Sequence, residues 1–166
     1  MHANPAHKPV LHLMCGKIAA GKSTLSQRLA AQPHTLLISE DHWLSRLYAN
    51  EIHSLEHYVH RAGQLREALG PHVEAILRGG LSVVLDFPAN TPNQRGWMKA
   101  IIDHSGADHA LHYLDVPDAV CKQRLHARNA SGEHPFAPTD EEFEAIHRHF
   151  VPPADHEGFT VIRHPA

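Results

Sequence analysis

Residues 10–25 read VLHLMCGKIAAGKSTL. A short apolar run stops at Gly16, and behind Gly21 the sequence turns helix-forming. An apolar run too short for a helix and closed by glycine reads as a buried strand. The stretch is therefore a strand, a glycine-bounded loop and the mouth of a helix, with Gly16 to Ser23 fitting GxxxxGK[ST]. The glycines let the backbone turn so that successive N–H groups point inward, and the helix start adds the positive end of its dipole. Such a concavity complements the phosphates of a nucleoside triphosphate. Gly16, Lys17, Ala19, Ala20, Gly21, Lys22, Ser23 and Thr24 are the expected nucleotide contacts. Lys22 reaches toward the β- and γ-phosphates, and the Ser23 hydroxyl is a ligand for Mg²⁺. Cys15, just ahead of the loop, is a small packing residue.

The same alternation runs outward from this stretch. Strands are expected at 10–14, 35–38, 81–85, 110–114 and 160–162. Helices are expected at 22–31, 41–48, 55–69, 71–78, 93–105, 117–128 and 139–150. Residues 139–142, TDEE, match a capping box. Strands alternating with helices argue for a five-stranded parallel sheet covered on both faces, in one α/β domain over 1–166. Ligands of such sheets bind at the carboxyl ends of the strands. Gly16, Asp41, Asp86 and Asp115 all fall on that edge.

The bulk composition narrows the function classes. A formal charge of −3 disfavours a nucleic-acid or membrane surface as the main partner. No apolar run approaches the ~20 residues of a membrane span, and the amino-terminal residues lack a signal-peptide core. Cys15 and Cys121 are too few for a disulfide framework, so a reducing, cytoplasmic setting is expected. Histidine is abundant, at 18 residues, yet neither HExxH nor a Cys-His cluster accompanies it, so solvated or hydrogen-bonded histidines are expected rather than a metal site. No NKxD for reading guanine is present.

Beyond the loop, LDFPANTPNQR (85–95) resembles the end of strand three in adenylate kinase. RLHAR (124–128) resembles the RLxxR that opens that family's lid. The tail, HPFAPTDEEFEAIHRHFVPPADHEGF (134–159), is similar to a group of small bacterial P-loop kinases. That group neighbours zeta toxin, gluconate kinase, chloramphenicol phosphotransferase and polynucleotide kinase. The resemblance implies the three-layer P-loop fold with strand order 2-3-1-4-5 and a short lid over 129–150, hinged near Gly132 and including His134 and Phe136. Adenylate kinase itself has DGFPR where this chain has Asp86-Phe87-Pro88-Ala89, which departs from a nucleoside-monophosphate acceptor.

The resemblance assigns roles to particular residues. Asp41, in ISEDHW (38–43), matches an aspartate that accepts the proton of an acceptor hydroxyl; alternatively it caps the helix beginning at His42. A hydroxyl attacking phosphorus must lose its proton near the transition state, which is the need such a base meets. Glu40 is the neighbour able to exchange roles with it. Asp86 would hold Mg²⁺ through water or orient Ser23, or cap the next turn. Arg124 would stack on adenine and Arg128 would clamp the phosphate charge of the transition state, the alternative being surface arginines paired with acids. Asn90 and Arg95 would meet the acceptor or its transferred phosphate, or be solvated loop polarity. Trp43, in the 42–80 segment expected to bind the acceptor, would stack on a sugar or ring, or sit in the core. The expected activity is an ATP- and Mg²⁺-dependent kinase acting on a small-molecule hydroxyl: a sugar, nucleoside, nucleotide sugar or antibiotic. The alternatives are a nucleotide switch acting on a protein partner, and a toxin-like kinase of a cell-wall precursor or nucleic-acid end.

Overall fold

A computed structural model describes residues 8–132 and 137–166. Five strands, β1 (Val10–Cys15), β2 (Thr35–Ser39), β3 (Ser82–Pro88), β4 (Asp108–Asp115) and β5 (Val161–Pro165), form one sheet in the order β2-β3-β1-β4-β5. Every pairing is parallel. The helices are α1 (Lys22–Ala30), α2 (Glu40–Leu47), α3 (Leu55–Arg78), α4 (Pro92–Ser105), α5 (Asp118–Ser131) and α6 (Asp140–Ile146), followed by a 3₁₀ turn at Asp155–Glu157. The expected fold and strand order are those observed.

Alternation along the central strands splits the core in two. Leu11, Leu13 and Cys15 of β1 join Val83, Leu85 and Phe87 of β3 on one face, packed by α3 and α4. Met14 and Val84 face the other way, against Leu25 of α1, Leu125 of α5 and Phe143 of α6. A strand buried on both sides reads as an unbroken apolar run, which is why SVVL in β3 was legible. Both buried cysteines are free thiols; burial pushes the Cys15 thiol up to about 12, so it packs rather than reacts.

The largest departures from expected helix extent are in α3 and α6. The segments at 55–69 and 71–78 are one helix, with Pro71 inside it. Proline costs about 3 kcal/mol in a helix interior. The continuous buried stripe of Ala62, Leu65, Leu69, Gly70, Val73 and Leu77 outweighs that cost. Gly70 also lets Trp97 approach, since a Cβ there would lie 3.1 Å from the indole nitrogen. In contrast, α6 stops at Ile146 instead of 150. Its start is capped as TDEE suggests, with Thr139 Oγ1 accepting the Glu142 N–H at 3.2 Å. The chain then leaves the helix and lies along the glycine loop. His134 and Phe136 of the expected lid lie outside the described residues.

Candidate active site

The carboxyl ends of β1, β2 and β3 converge on the loop between β1 and α1. Positive φ at Ala19 (63°) and Gly21 (107°) forms the turn, and Gly21 stands at the N-cap of α1. At Gly16 any side chain would crowd Leu114, whose Cβ lies 3.2 Å from an added Cβ. The Lys22 ammonium folds back over the loop and donates to the carbonyls of Gly16 (2.6 Å) and Lys17 (3.0 Å). Burial lowers its pKa, opposed by the charges of Asp86 and Asp41. Ser23 Oγ donates to Asp86 Oδ2 at 3.2 Å. Burial raises the Asp86 pKa, opposed by Lys22 and that hydroxyl. A hydroxyl and a carboxylate form a hard oxygen donor set, which suits Mg²⁺.

Asp41 stands in the first turn of α2, exposed, and among the described residues it makes no hydrogen bond or ion pair. It does not cap the helix: α2 begins at Glu40, two residues before His42, and Ser39 Oγ accepts the His42 N–H. Glu40 and Asp41 do not share a role. Glu40 is only 1% exposed beneath α3, where the Tyr58 hydroxyl donates to it and Arg66 lies 3.8 Å away. Burial pushes the Glu40 carboxyl up to about 7. The open carboxylate at the end of β2 is therefore Asp41.

Two residues expected at the acceptor, Asn90 and Arg95, are buried and bonded to other groups. Asn90 is buried, and its side chain grips the loop: Oδ1 accepts the Gly16 N–H at 2.9 Å and Nδ2 donates to the Gly16 carbonyl at 3.0 Å. Arg95 is wholly buried, pairing with Glu157 at 2.7 Å and donating to the carbonyls of Ala89 and Val151. Trp43 is two residues from Asp41 within α2, and such side chains point about 200° apart. Trp43 is exposed, so of the two expectations for it the core position is excluded.

The Lys17 side chain, expected at the nucleotide, is turned to other partners. Its ammonium pairs with Asp118 at 2.7 Å and lies over the Phe150 ring. A cavity of about 290 Å³ opens beside the loop, lined by Thr24, Arg28, Leu114, Arg124 and His164 among others. Arg124 Nη1 sits 3.5 Å from the carbonyls of Ala19 and Ala20, so it borders both loop and cavity. Arg128 follows on the same face of α5, and its buried Nε has no hydrogen-bond partner among the described residues. Two features escaped sequence reasoning. One is the Glu40–Tyr58–Arg66 group, for which Glu40 beside a strand end was the only hint. The other is His147, whose Nε2 accepts the Ile18 N–H at 3.1 Å. No sequence signal joins those two residues.

Three histidines, His12, His112 and His164, form a hydrogen-bonded ladder across β1, β4 and β5, with ring-nitrogen separations of 3.1 and 3.0 Å. Among the described residues no group of three or more His, Cys, Asp or Glu side chains is arranged to hold a metal ion. Among the same residues no helix is long and apolar enough to cross a membrane.

Comparison with known proteins agrees with this geometry. The AAA domain family profile matches residues 11–153. No curated protein matches the sequence. Among solved structures, a candidate kinase from Chloroflexus aurantiacus is similar with a TM-score of 0.72 at 22% identity, covering 96% of this chain and 86% of that one. A sugar kinase from Janibacter sp. HTCC2649 gives 0.63 at 15% identity, covering 95% and 85%. The Mycobacterium tuberculosis APS kinase, solved with AMPPNP and APS, gives 0.57 at 15% identity, covering 95% and 88%. At these identities the likeness is one of fold. With a strand-loop-helix phosphate cradle at the sheet edge and a family match over most of its length, the chain belongs to the AAA domain family and is a kinase-like P-loop domain.

Proposed function

We propose that the protein transfers the γ-phosphoryl group of ATP to a hydroxyl of a small molecule, with Mg²⁺. The observation that carries this reading is Asp41: an open, unpaired carboxylate at the end of β2, in the field of Lys22 and Asp86. A kinase whose acceptor is already a phosphate oxygen needs no such group, whereas an alcohol acceptor does. Asp41 takes the hydroxyl proton as the acceptor oxygen bonds to the γ-phosphorus. The bond from that phosphorus to the β–γ bridging oxygen breaks, and the electron pair leaves with ADP.

Other residues position and stabilise. The amides of the loop cradle the phosphates, and Lys22 leaves the carbonyls of Gly16 and Lys17 to meet the β- and γ-oxygens. Ser23 and Asp86 are the residues that would hold Mg²⁺, which would supply charge neutralisation at the phosphate oxygens. Arg124 stands where a base would lie against the cavity, and Arg128 supplies cationic charge toward the phosphates. The acceptor meets Asp41 from the side of α2 and α3.

The test is a screen of hydroxyl-bearing metabolites and antibiotics with γ-labelled ATP, followed by mass analysis of the labelled product. Label on an alcohol oxygen is the expected result. Label released only to water across the whole panel would refute the transferase reading in favour of a nucleotide switch. On the acceptor found, Asp41→Asn is expected to keep ATP binding and lose transfer by roughly 10²–10⁴-fold, the usual worth of a general base. Near-normal turnover would exclude Asp41 as the base.

A further inference from the structure

Glu40 lies beside the chemistry and takes no part in it. Its carboxyl is buried at the start of α2, close enough to feel the charges of Asp41 and Asp86. Both of its side-chain neighbours come from α3. The Tyr58 hydroxyl donates to Oε1, which fixes the side chain. Oε2 is buried and, among the described residues, accepts no hydrogen bond. The cation facing it is Arg66, whose Nη1 lies 3.8 Å away, beyond hydrogen-bonding distance.

Arginine pairs that join separate elements of this chain are otherwise in contact. Arg95 meets Glu157 at 2.7 Å, Arg61 meets Glu51 at 2.7 Å, and Arg163 meets Asp115. An arginine whose task was to neutralise a buried carboxylate would close in the same way and satisfy Oε2, because a stranded buried acceptor is costly. Arg66 stands off instead. A guanidinium carries five N–H donors, and among the described residues no hydrogen bond engages those of Arg66. Its side chain is 22% exposed, so the fork is open to solvent. Burial also pushes the Glu40 carboxyl up to about 7, so near neutral pH it is partly protonated and leaves Arg66 a net positive charge.

The placement gives this cation a use. An edge that carried only Glu40, Asp41 and Asp86 would repel a negatively charged acceptor and favour a neutral or cationic one. Arg66 changes that balance. Glu40 draws the guanidinium toward the end of β2 without occupying its donors. A planar fork with free donors suits a flat oxyanion, which it binds through two parallel N–H groups. We propose that Arg66 is an acceptor-binding residue and that the acceptor is an alcohol bearing a carboxylate or phosphate group, held by the Arg66 fork while its hydroxyl faces Asp41. This proposal rests on the kinase reading given above and names its substrate class.

The experiment offers the full chain γ-labelled ATP, Mg²⁺ and alcohols in pairs that differ in charge: aldonic acids against alditols, and sugar phosphates against free sugars. The expected result is label on an alcohol oxygen, with kcat/KM about tenfold or more higher for the oxyanion member than for its neutral partner. The arm that shows the preference tells carboxylate from phosphate. Arg66→Gln is expected to raise the KM of that acceptor by about 10–100-fold and to bring its preference for the charged member down with it, while calorimetry shows MgATP still bound. Arg66→Lys keeps the charge and loses the fork, so it is expected to recover only part of the preference. Equal or better turnover of the neutral members, or an undiminished preference in folded Arg66→Gln, would overturn this inference and leave the kinase reading standing. Label that reaches no alcohol in any arm would overturn both. Should Arg66→Gln fail to fold, Arg66→Lys carries the test, and a preference equal to that of wild type counts against Arg66.

Discussion

Replacing Asn90 with alanine removes a side chain that the structure commits to the glycine loop instead of the acceptor. Two hydrogen bonds are lost, at 2.9 Å from the Gly16 N–H and 3.0 Å to its carbonyl. The two partners do not suffer equally. The Gly16 carbonyl keeps Lys22 Nζ at 2.6 Å, whereas the Gly16 N–H is left buried with nothing to replace Oδ1. One net hydrogen bond contributes ~1 kcal/mol and a stranded buried donor costs about 1–3 kcal/mol more, giving about 2–4 kcal/mol in all. For a chain of this length that lowers Tm by roughly 5–12 °C. The backbone bonds of Asn90, to the Gln94 side chain and from the Val151 N–H, survive the substitution, so the loss belongs to the side chain alone. ATP must then also order a loosened loop, and its affinity should weaken about tenfold, equivalent to ~1.4 kcal/mol. Asn90→Asp keeps an acceptor for the Gly16 N–H but sets a second oxygen of a buried carboxylate against the Gly16 carbonyl, so it should not restore wild-type stability. Urea unfolding and MgATP calorimetry read both effects. If Asn90→Ala unfolds within ~0.5 kcal/mol of wild type, binds ATP normally and changes only the KM of the acceptor, the reading of Asn90 as a support of the loop is wrong.

Two further predictions concern pH. Glu40 has a folded pKa raised from 4.5 to about 7, so between those values the folded chain binds more protons than the unfolded one. Its contribution is full below about pH 4.5 and lost as pH rises through about 7. Glu40→Gln, which keeps an acceptor for the Tyr58 hydroxyl, should gain in Tm relative to wild type as pH is raised across that window; parallel Tm curves would contradict it. His112, 5% exposed between His12 and His164, behaves oppositely, with burial lowering its pKa from 6.5 to about 4. The unfolded chain protonates first, so this stability is present above about pH 6.5 and lost as pH falls toward about 4. His112→Gln should flatten the acid limb of the Tm–pH curve, and an unchanged slope would show that the ladder carries no such linkage.

The parts of the fold written in local pattern were legible. Glycine spacing located the loop, apolar runs located the strands, and the alternation of strand with helix dictated a parallel sheet. Errors arose where distant packing decides. Pro71 reads as a helix start, but a buried stripe on both sides of it carries α3 through. The run EEFEAIHRHF reads as one helix, yet α6 ends at Ile146 because His147 and Phe150 are drawn to the loop. Asn90 and Arg95 looked like polar loop residues beside a catalytic strand. Their partners lie 74 and 62 residues away, at separations that no local pattern encodes. A shift of two residues, from a helix beginning at His42 to one beginning at Glu40, also moved the cap from Asp41 to Ser39. The residues proposed for the chemistry could be picked out because the glycine spacing marks Lys22 and Ser23, while Asp86 and Asp41 stand at the carboxyl ends of β3 and β2.

The central claim is that the loop of Gly16 to Ser23 grips a triphosphate through its amides and Lys22. Its most direct test is calorimetric titration of the folded protein with MgATP, in wild type and in Lys22→Ala. The account expects saturable one-site binding by wild type, weakened at least tenfold in Lys22→Ala while thermal unfolding shows that the variant remains folded. A folded wild type that gives no binding heat with MgATP and no change in Tm, or a Lys22→Ala variant that binds as tightly as wild type, would contradict it.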